Sequence, residues 1–274
     1  MILVIGKNGQ LANELKNFLP KTSEFLSSKD INLNEIQNIK KKLSLFNSKL
    51  IINCAAFNNV DAAEFNEQNL NINGIAPGEI ASYCNEKNIS LIHISTDAVF
   101  NGEEKEYSET SKPNPCNAYG MAKFEGESNI KKYHKRYVII RTSWLYSRQK
   151  NSFLGKIIDR FQSQDELYGA DDVVSSPTSA RSLAEGITKI ISFRNIPFGT
   201  YHFANKGAAS KFDFIKEIGL NMNFDKVQIK RVKNSFFKLD AKRPKNTVLN
   251  CRKFEETFDF KMIDWKEELR EHFK

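Results

Sequence analysis

The sequence predicts an α/β fold with a doubly wound parallel sheet, and three observations carry that prediction. Apolar runs without polar alternation recur along the chain, stretches able to form helices separate them, and a glycine turn directly follows the first run. Strands of a parallel sheet give such runs because helices cover both of its faces. The clearest runs span residues 2 to 5, 49 to 53, 90 to 94 and 137 to 141, with fainter ones at 24 to 27 and 199 to 204.

Helices are predicted between these runs, and the pattern loosens in the second half of the chain. The helical stretches are residues 10 to 18, 34 to 45, 73 to 87 and 117 to 133, and an amphipathic stretch closes the chain at 265 to 273. We expect residues 1–147 to form the domain that contains most of the sheet. Residues 148–274 are expected to form mainly a small carboxy-terminal lobe, partly interleaved with the sheet.

The net charge of +8 raises the question of nucleic-acid binding. The basic residues are scattered, and the densest run, Lys40 to Lys42, falls in a predicted surface helix, where a solvated face is the simpler interpretation. We therefore expect no nucleic-acid partner. The excess of positive charge does favour anionic small ligands.

Cysteine and histidine spacing argues against metal centres and disulfides. The four cysteines form no Cys-x-x-Cys pair and the four histidines show no ligand spacing. No run approaches the roughly 20 apolar residues that span a bilayer, and the amino terminus lacks the basic flank of a signal peptide. We expect a soluble cytoplasmic protein with free thiols, no metal and no membrane partner.

The first glycine turn predicts a site for a dinucleotide. The first strand runs into Gly6, Asn8, Gly9, Gln10 and Leu11, and the helix continues from there. Glycines at such a turn let the backbone approach a pyrophosphate, and the helix amino terminus offers unpaired N–H groups and a positive dipole. At the end of the second strand, Ser27, Ser28 and Lys29 precede Asp30 and Ile31, which favours NADPH and leaves NADH open.

A candidate catalytic group lies further along the chain. Tyr119 and Lys123 are four residues apart on a predicted helix, so both can address one point, and Thr96 ends the strand before them. An ammonium beside a phenol stabilises phenolate, so we expect the pKa of Tyr119 to be lowered. When a hydride reaches a ketone carbon, its oxygen needs a proton and a hydrogen-bond donor, which Tyr119 and Thr96 can supply.

With these residues in place, the chain resembles the extended short-chain dehydrogenase/reductase family and, within it, the dTDP-4-dehydrorhamnose reductases. The resemblance covers nearly the whole length. The motifs that carry it begin with Gly6-Lys7-x-Gly9-Gln10-Leu11, Ile52-Asn53-Cys54-Ala55-Ala56-Phe57 and Ser95-Thr96-Asp97. They continue with Tyr119-Gly120-x-x-Lys123, Arg141-Thr142-Ser143-Trp144, Ser176-Pro177-Thr178, Gly199-Thr200-Tyr201-His202 and Ala241-x-Arg243-Pro244.

The resemblance implies a Rossmann-type domain with a small substrate-binding lobe, and reduction of the 4-keto group of a nucleotide-linked 6-deoxy sugar for surface polysaccharide. It implies that Thr96, Tyr119 and Lys123 are catalytic and that Thr96, Asp97, Tyr119 and Trp144 bind the sugar. The residues implied to bind the dinucleotide are Gly6, Asn8, Gly9, Gln10, Leu11, Asp30, Ile31, Ala55, Ala56, Phe57 and Lys123. A homodimer is a possible assembly.

Two positions depart from the pattern of the family. Ala98 stands where a tyrosine is usual, and Lys211 stands where an aromatic residue usually follows the serine. A lost phenol opens space, so the hypothesis is a bulkier or acetamido-bearing sugar.

Some members of the family bind magnesium through glutamates. Glu14 matches one such position, but Arg181 stands near where another acid is expected, so no metal requirement is predicted.

Several alternatives stay open. An epimerase on the same fold is the close rival, whereas a dehydratase would need an Asp-Glu pair after Thr96, where this chain has Asp97-Ala98. A non-catalytic dinucleotide-binding regulatory subunit is the rival of another class. Among single residues, Trp144 could be simple core, and Arg243 could pair with a phosphate or lie solvated. Asp61 and Glu64 are interpreted as acids at a helix start, where their charge complements the helix dipole.

Overall fold

The computed structural model describes residues 1–224 and 226–274. Its strands are β1 (Ile2–Ile5), β2 (Glu24–Leu26), β3 (Leu50–Asn53), β4 (Ser90–Thr96), β5 (Tyr137–Thr142), β6 (Leu145–Tyr146), β7 (Glu166–Ala170), β8 (Val174–Ser175), β9 (Thr178–Ser179), β10 (Gly199–His202), β11 (Ala209–Ser210) and β12 (Gln228–Val232). Its helices are α1 (Gln10–Phe18), α2 (Ile39–Leu43), α3 (Ala76–Glu86), α4 (Ala118–Tyr133), α5 (Phe153–Ser163), α6 (Ala180–Ser192), α7 (Lys211–Met222), α8 (Arg252–Phe258) and α9 (Trp265–Glu271).

The central sheet confirms the predicted fold class. It is a six-stranded sheet in the order β2-β1-β3-β4-β5-β10, and every neighbouring pair is parallel. The chain winds from β1 outward to β2 and then crosses to β3 on the other side. Ligands of such sheets bind outside the carboxyl ends of the strands, where the winding direction changes. The site is therefore expected beyond β1, β3 and β4.

Successive residues of the strands are buried on opposite faces, which explains the runs without alternation. Val4, Ile52 and Ile92 pack into a core with α1 and α6, whereas their neighbours in sequence pack into a second core with α2, α3 and α4. The side chains of both cores are almost inaccessible to solvent, and each fully buried Ile, Leu or Val contributes about 1.5–3 kcal/mol to folding. The two hydrophobic cores thus fix the sheet between two helical layers.

Two predicted helices differ in detail from the observed ones. The stretch 34 to 45 contains only a 3-10 turn, Ile36–Asn38, and the short helix α2. Ile39 and Leu43 of α2 are buried in the second core, while Lys40 pairs with Glu86 at 2.6 Å, so the lysine run lies on the outer face. The stretch 73 to 87 begins earlier, as a π-helical segment over Leu70–Ile75, and continues as α3.

The second half of the chain has a small hydrophobic core of its own. Helices α5, α7 and α9 surround it, and β7 pairs with β12 beside them. Tyr146, Phe161, Phe214 and Trp265 are among its buried side chains. Three elements after residue 147 leave this lobe, because β10 joins the edge of the central sheet, α6 packs on α1, and α8 packs beside β10 with Phe254 and Phe258 in the first core. No helix over residues 1–224 and 226–274 is long and apolar enough to cross a membrane.

One buried ion pair ties α4 to the sheet. The Glu127 carboxylate accepts hydrogen bonds from Arg141 of β5, at 2.9 and 2.7 Å, and from the Ser95 hydroxyl of β4, at 2.6 Å. Glu127 and Arg141 are 0% and 2% exposed. Burial opposes ionisation of Glu127, but the guanidinium and the hydroxyl outweigh it and lower its pKa. The pair therefore stays charged inside the protein.

Removing one partner of this pair should strongly destabilise the protein. Glu127→Ala leaves the Arg141 guanidinium buried without a counter-charge, and we expect a loss of about 3–5 kcal/mol in the free energy of unfolding. Urea denaturation followed by circular dichroism measures it. Glu125→Ala, an exposed change on the same helix, is the control. Equal stabilities of the two variants would show that the pair does not hold α4 in place.

Candidate active site

The glycine turn after β1 has the geometry of a phosphate loop. Gly6 has a φ of +100°, and a Cβ at this position would lie 2.8 Å from the backbone nitrogen of Ala55, so only glycine fits. The Gly9 N–H donates to the Gly6 carbonyl at 2.9 Å, and α1 begins at the next residue. In the described structure no side chain caps α1 and its first turn holds no acid. Its first N–H groups are free to bind an anion.

A first cavity, of about 240 Å³, lies between this loop and the end of β2; we call it the loop cavity. Ser27, Ser28 and Lys7 contribute its polar side chains at the β2 end. Six of the residues predicted to bind a dinucleotide line it, namely Gly6, Asn8, Gly9, Ile31, Ala55 and Ala56. Sequence reasoning did not single out Cys54 and Asn58, which also line it, because nothing in their types points to a ligand.

Two predicted dinucleotide residues lie outside the linings of both cavities described here. The Asp30 carboxylate folds back on its own turn, where it accepts hydrogen bonds from the Ser27 N–H at 2.8 Å and the Ser27 hydroxyl at 2.7 Å. The Phe57 backbone is held by the Asn73 side chain, which accepts from its N–H and donates to its carbonyl. The Asp30 carboxylate therefore points to Ser27 and fixes the turn that borders the loop cavity.

A second, larger cavity, of about 470 Å³, opens at the carboxyl edge of the sheet; we call it the edge cavity. It brings together all the residues predicted for catalysis and sugar binding with the start of α1, namely Thr96, Asp97, Tyr119, Lys123 and Trp144 with Gly9, Gln10 and Leu11. Its other wall comes from the carboxy-terminal lobe and is built by Val173, Ser175, Lys211, Arg243, Pro244 and Thr247. The cavity thus lies between the sheet and the lobe.

Thr96 and Asp97 form a hydrogen-bonded pair at the end of β4. The Thr96 hydroxyl accepts from the Ala98 N–H and donates to Asp97, each at 3.1 Å. The other carboxylate oxygen of Asp97 accepts from Ser143 at 2.7 Å and from Thr247. Burial raises the pKa of Asp97, and the hydroxyl donors act against that shift. Asp97 therefore links β4 to β5 and to the carboxy-terminal lobe.

Helix α4 brings Tyr119 beside Thr96 because a glycine permits a very close contact. A Cβ at Gly120 would lie 2.2 Å from the Ala98 carbonyl oxygen, so no other residue fits there without a shift of the backbone. The Asn117 side chain caps the helix by accepting from the Gly120 N–H at 2.8 Å. This packing places the first turn of α4 directly on the residues that follow β4.

The expected lowering of the Tyr119 pKa was wrong. Burial raises it to about 12, and the Thr96 hydroxyl opposes that rise only in part. The reason is the direction of the neighbouring lysine: the Lys123 ammonium donates to the Ile94 carbonyl of β4 at 2.7 Å. The phenol is consequently protonated at neutral pH.

Behind Lys123 lies a polar chain that sequence reasoning missed. His93 Nε2 is 3.4 Å from Lys123 Nζ, and His93 Nδ1 is 3.1 Å from the amide nitrogen of Asn53. The amide oxygen of Asn53 accepts a hydrogen bond from the Ala55 N–H, which fixes the side chain. Burial lowers the pKa of His93 well below its ordinary value, so the ring is neutral. The apolar setting of His93 within β4 gave no signal in the sequence.

The sequence left open whether Trp144 lines the ligand pocket or belongs to the hydrophobic core, and in the structure it does both. It lines the edge cavity, and it also packs against Phe214 and Phe153 of the lobe at centroid distances of 4.8 and 5.4 Å. Its φ of +39° is uncommon for a tryptophan, and such strain is kept where the surroundings over-determine it. The Lys211 ammonium lies 3.0 Å from the centroid of its ring.

Asp61 and Glu64 lie at the start of a 3-10 helix, Ala62–Glu64, as the sequence indicated, and both also make long-range hydrogen bonds that the sequence did not show. Asp61 accepts from Arg243 at 2.7 Å and from the Ala241 N–H at 2.9 Å, and Glu64 accepts from the Ala118 N–H at 2.9 Å. These bonds join the loop after β3 to the carboxy-terminal lobe and to α4. Arg243 is therefore fixed at the rim of the edge cavity.

A phosphate loop, a loop cavity and a polar edge cavity on a doubly wound sheet define a Rossmann-type dinucleotide-binding protein with a second ligand site. The chain belongs to the family described as the RmlD substrate binding domain, whose model matches residues 1–274. This confirms the family resemblance found in the motifs.

Curated relatives match along the whole chain. The spore coat polysaccharide biosynthesis protein SpsK of Bacillus subtilis (strain 168) is 31% identical, over 100% of this chain and 96% of that protein. The dTDP-4-dehydrorhamnose reductase of Escherichia coli (strain K12) is 29% identical, over 97% of this chain and 94% of that protein.

Solved structures of reductases superpose closely on this chain. The dTDP-4-dehydrorhamnose reductase of Bacillus anthracis str. Ames, in complex with NADP, superposes with a TM-score of 0.94 at 31% identity and covers 99% of this chain and 98% of its own. A dTDP-4-dehydrorhamnose reductase ortholog of Clostridium acetobutylicum ATCC 824 gives a TM-score of 0.91 at 34% identity, with 99% and 97% covered.

The ionisation of Lys123 gives a direct test of this site. Burial lowers the pKa of Lys123 to about 8, while the Glu127 carboxylate favours its charged form. In a carbon-13 NMR titration of lysine side chains, one resonance should therefore titrate near 8 and should be lost in Lys123→Met. In Glu127→Gln the same resonance should titrate at a lower pH. A Lys123 resonance that titrates above 10 would contradict the geometry described here.

Proposed function

We propose that this chain uses NADPH, with NADH as the possible substitute, to reduce the 4-keto group of a nucleotide-linked 6-deoxy sugar for surface polysaccharide. The observation that carries the proposal is the convergence of Thr96, Tyr119 and Lys123 in one cavity with the start of α1. Full-length similarity to reductases of dTDP-4-dehydrorhamnose supports the reaction and the class of substrate.

The loop cavity fits a phosphorylated dinucleotide. Gly6 leaves the backbone open, and α1 directs its free N–H groups to the same place. The lining contains no carboxylate among the described residues, whereas Lys7 and Ser28 can donate to a 2′-phosphate. The Bacillus anthracis relative was solved with NADP, which supports the same choice here. When bound, the dinucleotide supplies the hydride.

Tyr119 is assigned the proton that completes the reduction. Hydride addition turns the keto oxygen into an alkoxide, which needs a proton at once. A phenol whose pKa is raised to about 12 is protonated at neutral pH, so it is ready to donate. The Thr96 hydroxyl, which now donates to Asp97, turns to the sugar oxygen and stabilises its charge.

Lys123 and Asp97 are assigned supporting parts. After donation Tyr119 is a phenolate, and the Lys123 ammonium favours that anion only when it turns towards it from the Ile94 carbonyl. Lys123 also faces the place where we assign the nicotinamide ribose, whose hydroxyls its ammonium can bind. Asp97 keeps its bonds from Ser143 and Thr247 when Thr96 turns away, so it holds the wall of the cavity in position.

We assign the wall that the carboxy-terminal lobe contributes to the edge cavity to binding the rest of the substrate. Arg243 uses one nitrogen on the Ala241 carbonyl and another on Asp61, and its remaining N–H donors can bind the sugar diphosphate. Residues 148–274 are thus assigned mainly to substrate binding, apart from β10, α6 and α8, which belong to the central sheet and its helical layers. A cytoplasmic location and a homodimer stay predictions.

Replacing Tyr119 tests the assignment of the proton donor. Tyr119→Phe should lower kcat for a dTDP-linked 4-keto-6-deoxy sugar by about 10²–10⁴ while NADPH still binds. NADPH absorbance follows turnover, and fluorescence titration follows binding. Tyr133→Phe, on the same helix and 41% exposed, is the matched control. Turnover unchanged in Tyr119→Phe would remove the assignment. Turnover without net NADPH oxidation would favour an epimerase, and binding without turnover a regulatory subunit.

Replacing Lys7 tests the choice of dinucleotide. Lys7→Met removes a positive charge from the end of the loop cavity where the 2′-phosphate is assigned. We expect NADPH to bind about tenfold more weakly and NADH to bind as before, since one charge-assisted hydrogen bond is worth about 1.5–3 kcal/mol. Lys21→Met, an exposed change just after α1, is the control. An equal loss for both dinucleotides would place Lys7 at the pyrophosphate.

A further inference from the structure

Lys211 lies at an unusual place for a lysine. It is the first residue of α7, and its ammonium faces the rings of Trp144 and Phe153, with Nζ at 3.0 and 4.5 Å from their centroids. Lys211 also lines the edge cavity, on the wall that the carboxy-terminal lobe contributes. A charged group is thus held among aromatic rings beside the catalytic residues.

The ammonium has no acceptor in the part of the chain that the structure describes. Burial lowers the pKa of Lys211 well below its ordinary value, the Asp97 carboxylate opposes that shift, and the Arg243 guanidinium adds to it. Asp97 favours the charged form, but its two oxygens already accept from Thr96, Ser143 and Thr247. Lys211 is half-buried. An ammonium that is partly withdrawn from water without an acceptor is unfavourable, and contact with aromatic faces offsets only part of that cost.

The chemistry that would satisfy Lys211 is an oxygen acceptor brought by the ligand. Carbonyl and carboxylate oxygens are stronger acceptors for an ammonium than a hydroxyl, which must also place its own hydrogen. The cavity has space for such a group, because Ala98 in the lining has only a methyl side chain. A methyl or a plain hydroxyl on the sugar would leave the ammonium without an adequate partner.

We propose that Lys211 determines sugar specificity: its ammonium donates to the acyl oxygen of a ring substituent, either an acetamido carbonyl or a carboxylate. The proposal rests on the proposed function, since it takes the edge cavity as the site of a nucleotide-linked sugar. It narrows the substrate class to sugars that carry an acyl oxygen next to the face of Trp144. Sugars bearing only hydroxyl and methyl groups bind more weakly.

Calorimetry on the protein saturated with NADP⁺ tests this without turnover. The probes are three uridine diphosphate sugars that share the base and diphosphate: glucose, N-acetylglucosamine and glucuronic acid. They present a hydroxyl, an acetamido carbonyl and a carboxylate. Wild type should bind one of the two acyl sugars about 10- to 100-fold more tightly than the glucose compound, the range of one hydrogen bond to a charged group.

The variants separate the role of Lys211 from a general defect. Lys211→Met should bind all three compounds within about threefold of each other, whereas Lys211→Arg should keep the preference, because it keeps the charge and its donors. Lys216→Met, an exposed change on the same helix, should bind like wild type. The affinity for NADP⁺ should be the same in all variants, which shows that the fold is intact.

Each other outcome overturns the proposal in a distinct way. A wild-type protein without preference among the three, or a Lys211→Met variant that keeps the preference, shows that Lys211 does not contact the sugar substituent. A protein that binds NADP⁺ but none of the three sugars overturns this inference, whereas the proposed function fails separately, if no dTDP-linked 4-keto-6-deoxy sugar is reduced. The preferred acyl sugar tells whether the group is an amide or an acid.

Discussion

The buried Glu127–Arg141 pair is the interaction on which the site depends. Glu127 lies on α4, one turn beyond Lys123, and it is bonded to Ser95 in β4 and to Arg141 in β5. One carboxylate therefore fixes the helix that carries Tyr119 relative to the strand that ends in Thr96. It also holds β5, whose end leads into Trp144. Because both charges are buried, a shifted helix would leave one of them unpaired, so the register of α4 on the sheet is strongly determined.

Around this fixed frame the cavity is closed by segments that are distant in sequence. Thr247 reaches Asp97, and Arg243 reaches Asp61. These bonds join the carboxy-terminal lobe to the loops after β3 and β4, and the edge cavity lies between the two. The wall that holds Thr96, Tyr119 and Lys123 is thus built by the sheet and α4, whereas the wall proposed to bind the rest of the substrate is built by the lobe. Substitutions in the lobe wall can therefore change which sugar is bound without changing the wall that holds Thr96, Tyr119 and Lys123.

Much of the fold and of the catalytic wall could be predicted from the sequence. Strands buried on both faces give unbroken apolar runs, and α1 matched its predicted bounds because a glycine turn marks its start and Pro20 follows its end. What the sequence could not show depends on pairing across the chain. Asp61 does begin a 3-10 helix, but nothing in the sequence showed its bond with Arg243 or the contact of His93 with Lys123. The pKa of Tyr119 was misjudged because spacing on a helix does not tell where the ammonium of Lys123 points.

Reduction of a sugar carbonyl in the edge cavity requires a hydride from the dinucleotide held at the phosphate loop. The most direct measurement follows the hydrogen itself, with NADPH deuterated at the transferred position and a dTDP-linked 4-keto-6-deoxy sugar, by proton NMR of the product. We expect one deuterium at C4 of the sugar for each NADPH consumed. Product without deuterium at C4, or sugar isomerised with NADPH unspent, would contradict it.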